Sequence, residues 1–511
     1  MSDDRKFWSK YDYLLFFWLL LFFVTLARLL FIGSLGLGDS EAYYWVWSKH
    51  PALSYYDHPP VVAYMIRLFT AIGRDSSFFV RLGPVLLFPF TVLMTALIYR
   101  EIGPEKDYPR SLFYIALLLV LTPAMAVGGV SASPDTPLAF FLSGFLLFLF
   151  KAVMKFKGPY LLVAGVFLGL AAASKYFAVL YYPILLAFFL RKDMRKWWKG
   201  PWLYLAGLAA LIGMLPALLW NAGNHWASFA FHLKERHHGA GLSLENFGRL
   251  AGGQLLYMSP LILAGLFWAL KKAFDRHKRG DVRASLVVYT TLPYIGFFYL
   301  VTLITPEAEP HWPLMGFLPL YPMLLAAWQE SGPGRRKRRL AAWTLGSSLA
   351  MVLLIHVYVL TPWISKAMPK RIYEANAKFD IANELRGWPE LGKAVKQELK
   401  KRGGTFAFSY HYTVCSQLTF ALYPDYKVYC PNTRNDEFDF LGLSSPPIGG
   451  SGIFVGDWRY HVNPAKIYSC GYMDKKPRFV VVYAHGLKAR EFMLFWCKDY
   501  NGLKPDAPAG L

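Results

Sequence analysis

Long apolar runs recur along the chain, at roughly 13–33, 78–99, 111–130, 136–150, 158–173, 176–190, 201–220, 251–270, 284–304, 313–328 and 340–360. Runs of this length predict helices that cross a bilayer. The polar connections between them alternate in character. One set reads RKFWSK, REIGPEKDYPR, KAVMKFK, RKDMRKWWK, KKAFDRHKRGDVR and GRRKRR, whereas the opposite set includes SASPD and TPEAEPH, which carry no Lys or Arg. Basic connections stay in the cytoplasm, so this asymmetry orients the protein. Basic segments on both sides of 158–190 require an even number of crossings there, which puts Lys175, in ASKYF, at an apex on the far side. An odd total of crossings then sends everything after about residue 362 to that same outer side.

The pattern changes beyond that point. GWPELGKAVKQELKKRGG has helical periodicity and ends in Gly-Gly, and FAFSY, YKVYC and FVVVYAH read as short strands set off by Pro, Gly and Asn. The expectation is a polytopic α-helical membrane domain over 1–362 and a small α+β domain over 363–511, with no internal repeat or low-complexity stretch. MSDDRKFWSKYDY leads into the first run with no small-residue cleavage site after it, which predicts a retained helix.

Composition agrees. Of 511 residues 55% are hydrophobic and 17% aromatic, and mean hydropathy is +0.29 despite 55 Lys and Arg. The formal net charge of +22 falls in short clusters between apolar runs, which topology explains better than nucleic-acid binding. All four cysteines (Cys415, Cys430, Cys470 and Cys497) lie in the polar segment. Such confinement predicts two disulfides in an oxidising compartment, with three pairings open.

The polar residues that ask for a reason crowd the outer side. Leu37–Pro60, LGDSEAYYWVWSKHPALSYYDHPP, lies between two apolar runs and holds Asp39 and Glu41 beside Tyr43, Tyr44, Trp45 and Trp47. The aromatics read as an interfacial belt, and carboxylates at that depth point to a function unless they are simply solvated in a loop. The same side carries Asp57 and His58, Asp135 in SPDTPL, and Lys175. It also holds His225, His232, Lys234, Arg236, His237 and His238 in WNAGNHWASFAFHLKERHHG, and Glu307, Glu309 and His311 in TPEAEPHWP. Each alone is ordinary, since interfacial Lys and Arg usually snorkel or touch headgroups. Together, carboxylates, cations and histidines suit a reaction in which a hydroxyl or amine loses a proton and a phosphate leaves. No Walker loop, GxGxxG, HExxH or GxSxG is present. The adjacent pairs Asp57–His58 and His237–His238 leave room for a divalent cation, although neighbours in sequence rarely share one metal.

The order DSEAYYW, YYDHPP, SPDTPL, SK at a helix end, PALLWNAGNHWASFAFHL and EPHWP resembles bacterial integral-membrane glycosyltransferases of the dolichyl-phosphate-mannose protein mannosyltransferase-like superfamily, relatives of the aminoarabinose transferase of lipid A. The resemblance covers about residues 10–330. It implies a GT-C fold with about 11 to 13 transmembrane helices. It also implies inverting transfer of a sugar from a polyprenyl-phosphate carrier to a glycolipid, glycan or protein acceptor, at the periplasmic face of the bacterial inner membrane. By motif, Asp39 or Glu41 would be the general base, Asp39 favoured. Asp135 would orient the base or the acceptor, and Lys175 and Arg236 would hold the carrier phosphate. His58 stands where the aminoarabinose transferases carry Lys, exchanging a fixed charge for a titratable one. Asp57, His232, His237, Glu309 and His311 complete the candidate set. A transporter or flippase of lipid-linked sugars, or a scaffold with an outer interaction domain, is the alternative. RNDEFDF and DWRYH in the outer domain mix charge and aromatics in a way that suits sugar contact, as exposed turns also do.

Overall fold

The structure is a computed structural model, and it describes residues 9–105, 108–233, 241–305, 309–332, 334–460 and 462–507. Its internal contacts divide the chain into two compact units. One comprises Met1–Leu30, Leu53–Val62 and Arg81–Leu353, and the other Phe31–Ala52, Ala63–Val80 and Leu354–Leu511.

Among the described residues six helices are long and apolar enough to cross a membrane: Lys10–Phe31, Ser77–Ile102, Asp135–Lys155, Trp202–Gly223, Val282–Val301 and Arg335–Leu360. This is a multi-pass membrane protein. The outward faces of these helices are apolar, and in Arg335–Leu360 only 6% of the most apolar window is buried, as expected where lipid is the solvent. Several predicted crossings are shorter or broken, and proline is the common reason. The 251–270 run is two helices, Leu244–Met258 and Pro260–Lys278, bent by 105° at Ser259, which has φ 64°. The 111–130 run is helical over Tyr108–Val120 and restarts at Pro123. The 313–328 run opens as a 3-10 turn, Trp312–Phe317, before an eleven-residue helix, Leu320–Glu330. Gly158–Ala172 and Tyr176–Phe189 are separate shorter apolar helices that break at Ser174–Lys175.

Small residues let helices of the first unit meet closely. A Cβ added at Gly165 would fall 2.3 Å from the Ala206 carbonyl oxygen, and one at Gly213 2.5 Å from the Gly169 backbone. Helices Gly158–Ala172 and Trp202–Gly223 therefore touch backbone to backbone, the packing that replaces hydrophobic drive inside a bilayer.

The second unit carries a six-stranded sheet: β1 (Phe406–Phe408), β2 (Lys427–Tyr429), β3 (Gly452–Asp457), β4 (Tyr468–Met473), β5 (Arg478–Ala484) and β6 (Leu487–Leu503). The order is β2-β1-β3-β6-β4, with β5 also on β6; β1 runs parallel to β2 and β3, and β6 antiparallel to β3, β4 and β5. FAFSY, YKVYC and FVVVYAH supply β1, β2 and β5, as expected. The predicted helix spans Trp388–Arg402, with Lys400, Lys401 and Arg402 in its last turn and Gly403 closing it at φ 70°. Disulfides join Cys415 to Cys430 and Cys470 to Cys497, which resolves the open pairing. Phe406, Phe408, Phe454, Tyr468 and Tyr500 form the core on that sheet.

The expected interfacial belt is instead buried within this unit. Asp39–Lys49 is a helix in which Tyr43, Trp45 and Trp47 are 4%, 0% and 0% exposed. Trp45 meets Phe420 edge-on at 4.8 Å and donates its indole N–H to Asp75, while Tyr43 lies 4.8 Å from Tyr412. The aromatics cover two faces of a short helix, and the helix Tyr412–Leu422 offers them protein rather than headgroups. A second helix, Val61–Ile72, falls where the sequence pattern shows no crossing.

Candidate active site

In the first unit the residues gather around Lys175. Asp135 begins the helix Asp135–Lys155, where the exposed N–H groups favour an acid. Lys175 Nζ donates to both oxygens of Asp135 at 2.9 and 2.8 Å, and its side chain is only 4% exposed. His311 Nε2 lies 3.8 Å from Asp135, and Glu309 lies 3.7 Å from the other ring nitrogen of His311. Lys175, Asp135, His311 and Glu309 thus form one chain of ionisable groups. The next residue, Tyr176, leads to the WNAGNHW segment: its hydroxyl accepts from Ser228 at 3.1 Å, and its ring meets that of His232 edge-on.

Asn221 builds that segment. Its backbone carbonyl accepts the Trp226 N–H at 2.7 Å and its side-chain amide donates to Ala217, holding a turn in which His225 and Trp226 have φ 54° and 59°. The turn sends His232 back to the YYDHPP motif, where its Nε2 bonds the Asp57 carbonyl at 2.7 Å and its ring lies 6.0 Å from that of His58. Asp57, His58 and His232 therefore lie together. Arg236 and His237 lie outside the described residues.

Asp39 and Glu41 belong to the second unit, and neither is a solvated loop acid: they are 7% and 5% exposed. Glu41 accepts the Gly38 N–H at 2.8 Å, so it caps its own helix. Asp39 Oδ2 accepts from Arg459 Nη1 at 2.6 Å and Oδ1 from Gln417 Nε2 at 3.1 Å, while its backbone N–H donates to Glu384 at 2.7 Å.

Arg459 is held in turn by Asp457, through Nη2 at 3.0 Å and through its own backbone N–H at 2.9 Å, and Asp457 also accepts Arg490 Nη2 at 2.7 Å. The result is an alternating series, Asp39–Arg459–Asp457–Arg490. Burial alone would raise the Asp457 carboxyl, but Arg490 and Arg459 outweigh it and hold the group below the usual carboxylate range. Burial also works against the Arg459 charge, and Asp457 and Asp39 more than restore it. Glu384 moves the other way, pushed up by burial and by the Asp39 charge. A cavity of about 200 Å³ opens beside the series, bordered by Arg459, Arg490, Glu384, Asn383 and Trp458.

Sequence reasoning missed the partners of Asp39. In DWRYH, which the sequence offered as a possible sugar contact, Arg459 is ion-paired to the first-loop acid Asp39, and Asp457 is ion-paired to Arg459. In RNDEFDF, Asp436 and Asp439 cap the short helix Glu437–Phe440, a structural role. Glu384 and Gln417 had no local signal at all. Among the described residues no group of three or more His, Cys, Asp or Glu could hold a metal ion.

Residues 57–220 match the family described as dolichyl-phosphate-mannose-protein mannosyltransferase. A lipid A galacturonosyltransferase of Rhizobium johnstonii is 27% identical over 297 residues, 56% of this chain and 59% of that protein. The undecaprenyl phosphate-alpha-4-amino-4-deoxy-L-arabinose arabinosyl transferase of Pseudomonas aeruginosa is 26% identical over 282 residues, 50% of this chain and 47% of that one. The chain thus aligns with about half the length of these curated relatives. Among solved structures, ArnT from Cupriavidus metallidurans in the apo state superposes with a TM-score of 0.62 at 14% identity, covering 94% of this chain and 97% of that one. The same protein bound to undecaprenyl phosphate gives 0.58 at 14% identity, with the same coverage. The expected GT-C fold is thereby borne out.

Proposed function

We propose that this chain, a GT-C membrane protein by its fold, is an inverting glycosyltransferase that moves a sugar from a polyprenyl-phosphate carrier to an acceptor hydroxyl or amine at the periplasmic face of the bacterial inner membrane. Lipid A or a related lipopolysaccharide is the acceptor class the relatives favour, ahead of another glycan or a protein. The disulfides of the second unit support an oxidising, periplasmic location for it. The fold argues against the transporter reading, as does the absence of a polar site built from inverted repeats in the sequence.

The observation that carries the reading is the pair formed by buried Lys175 and half-buried Asp135, with His311 beside it. A charge pair between two apolar helices is expensive to maintain and marks a functional site. A carrier phosphate reaching Lys175 takes a share of its three N–H donors, and that cation offsets the phosphate charge as the sugar leaves. The acceptor oxygen or nitrogen attacks the anomeric carbon, the bond from that carbon to the phosphate oxygen breaks, and the acceptor proton passes to Asp39. The products are the glycosylated acceptor and the polyprenyl phosphate. Asp135 keeps Lys175 aimed, and Arg236 is the second phosphate contact in this proposal. No nucleotide is required, because the donor bond is already activated.

The test is transfer of labelled 4-aminoarabinose, galacturonate or hexose from undecaprenyl phosphate to lipid A by the purified protein, with Asp39→Asn, Glu41→Gln and Lys175→Met alongside. Loss with Asp39→Asn and Lys175→Met, each still folded, supports the assignment. Full activity in both would remove these residues from the chemistry, and transfer of no sugar by the folded wild type would overturn the reaction class.

A further inference from the structure

We infer that Arg459 is the positioning residue of the proposed base, fixing the Asp39 carboxylate in one orientation, and that the C-terminal segment therefore takes part in turnover through this contact. The inference rests on the reading of Asp39 given above. Each oxygen of Asp39 is engaged by one donor, Arg459 on Oδ2 and Gln417 on Oδ1. Two donors on opposite oxygens stop rotation about the last side-chain bond, yet a carboxylate has about four lone-pair sites, so acceptor capacity remains for a substrate proton.

Gln417 is itself anchored, because its amide also donates to the Leu37 carbonyl at 2.8 Å and its helix carries Cys415 of the Cys415–Cys430 disulfide. Arg459 is anchored by Asp457, and Asp457 by Arg490, whose Nη1 is fixed to the carbonyls of Asn383 and Glu384 at 2.8 and 3.0 Å. Every link beyond Asp39 is thus held by a group that is itself held, which is the arrangement a reacting carboxylate needs to stay aimed. The Arg459 side chain is 17% exposed and borders the 200 Å³ cavity of this unit.

The experiment compares Arg459→Gln, Arg459→Lys, Gln417→Leu and Asp39→Asn in the full-length protein, using the transfer assay with donor concentration varied. Arg459→Gln is expected to lower kcat about 10- to 100-fold, the scale of a mis-aimed group, with KM for the donor within about twofold. Arg459→Lys keeps the charge and a donor and restores part of kcat. Gln417→Leu lowers kcat with KM unchanged, and it carries the test if Arg459→Gln does not fold. Unchanged kcat in Arg459→Gln or in Gln417→Leu, or a loss in Arg459→Gln that falls on KM alone, overturns the inference where Asp39→Asn is inactive. An active Asp39→Asn instead removes the base assignment on which it rests.

Discussion

Replacing Arg490 by Met should destabilise the second unit by about 3 kcal/mol. Arg490 is 1% exposed; it donates to Asp457 Oδ2 at 3.3 and 2.7 Å and to two carbonyls, and its guanidinium sits 4.3 Å from the centre of the Trp388 ring. Met retains most of the apolar stem, so what is lost is the charge and its bonds. Breaking one side of a buried ion pair typically removes about 3–5 kcal/mol, and because Arg459 still faces Asp457 the lower end applies. In a unit of roughly 200 residues each kcal/mol moves the melting midpoint about 2–4 °C, so a fall of about 6–12 °C is expected. Thermal unfolding of the full-length protein in detergent, followed by tryptophan emission, reads it. Asp457→Asn and the double variant complete a cycle whose coupling term should exceed about 1 kcal/mol. The pH dependence gives a second check. Asp457 is held below its ordinary value of about 3.9, so its contribution is complete above that pH and is lost as pH falls below it. The gap between wild type and Arg490→Met should therefore narrow below about pH 4. A loss under about 1 kcal/mol at neutral pH, or a gap that does not narrow in acid, would refute the reasoning.

Three further outcomes follow from the second unit. His411 stacks on Tyr460 at 4.0 Å, and burial, then Arg459 and Arg434, push its pKa down to about 4. A base lowered in the folded state contributes fully above its unfolded value and loses that contribution as pH falls towards 4. The melting midpoint should therefore drop between about pH 6.5 and 4, by an amount worth about 2–3 kcal/mol, and His411→Asn should flatten that limb. Breaking Cys415–Cys430, which closes a loop of 15 residues, should remove about 3 kcal/mol; alkylation without reductant should label no cysteine, and label all four after reduction. Gly36→Ala would bring a Cβ to 2.5 Å from the Leu385 carbonyl oxygen, a backbone atom that cannot rotate away, so a loss of about 1–3 kcal/mol in the same melting assay is expected.

Apolar runs revealed most of the membrane helices because lipid exposure imposes one requirement on every turn, and Lys10–Phe31 and Arg335–Leu360 meet it with almost no help from packing. The runs at 251–270 and 313–328 are interrupted inside, and hydropathy is blind to Pro260 and Pro319, which break a helix without making the chain more polar. The grouping of Lys175 with Asp135 was legible as a shared side of the membrane. The fate of Trp45 was not: an aromatic beside an apolar run looks the same whether it meets headgroups or Phe420. Arg459 was the hardest to find, since a single sequence contains no signal linking it to a carboxylate 420 positions away.

That separation also sets a timetable. Asp39 is synthesised 345 residues before Glu384 and 420 before Arg459. At about 5–20 residues per second the interval is roughly 20–80 s. Throughout it, a helix carrying Tyr43, Trp45 and Trp47 lacks the partners that will bury it, and Asp39 lacks its counter-charge. The nascent chain must shelter these aromatics, in the bilayer surface or on a chaperone, until its last segment arrives. A ribosome stalled before residue 459 would accordingly leave a membrane domain whose proposed base has yet to be aimed.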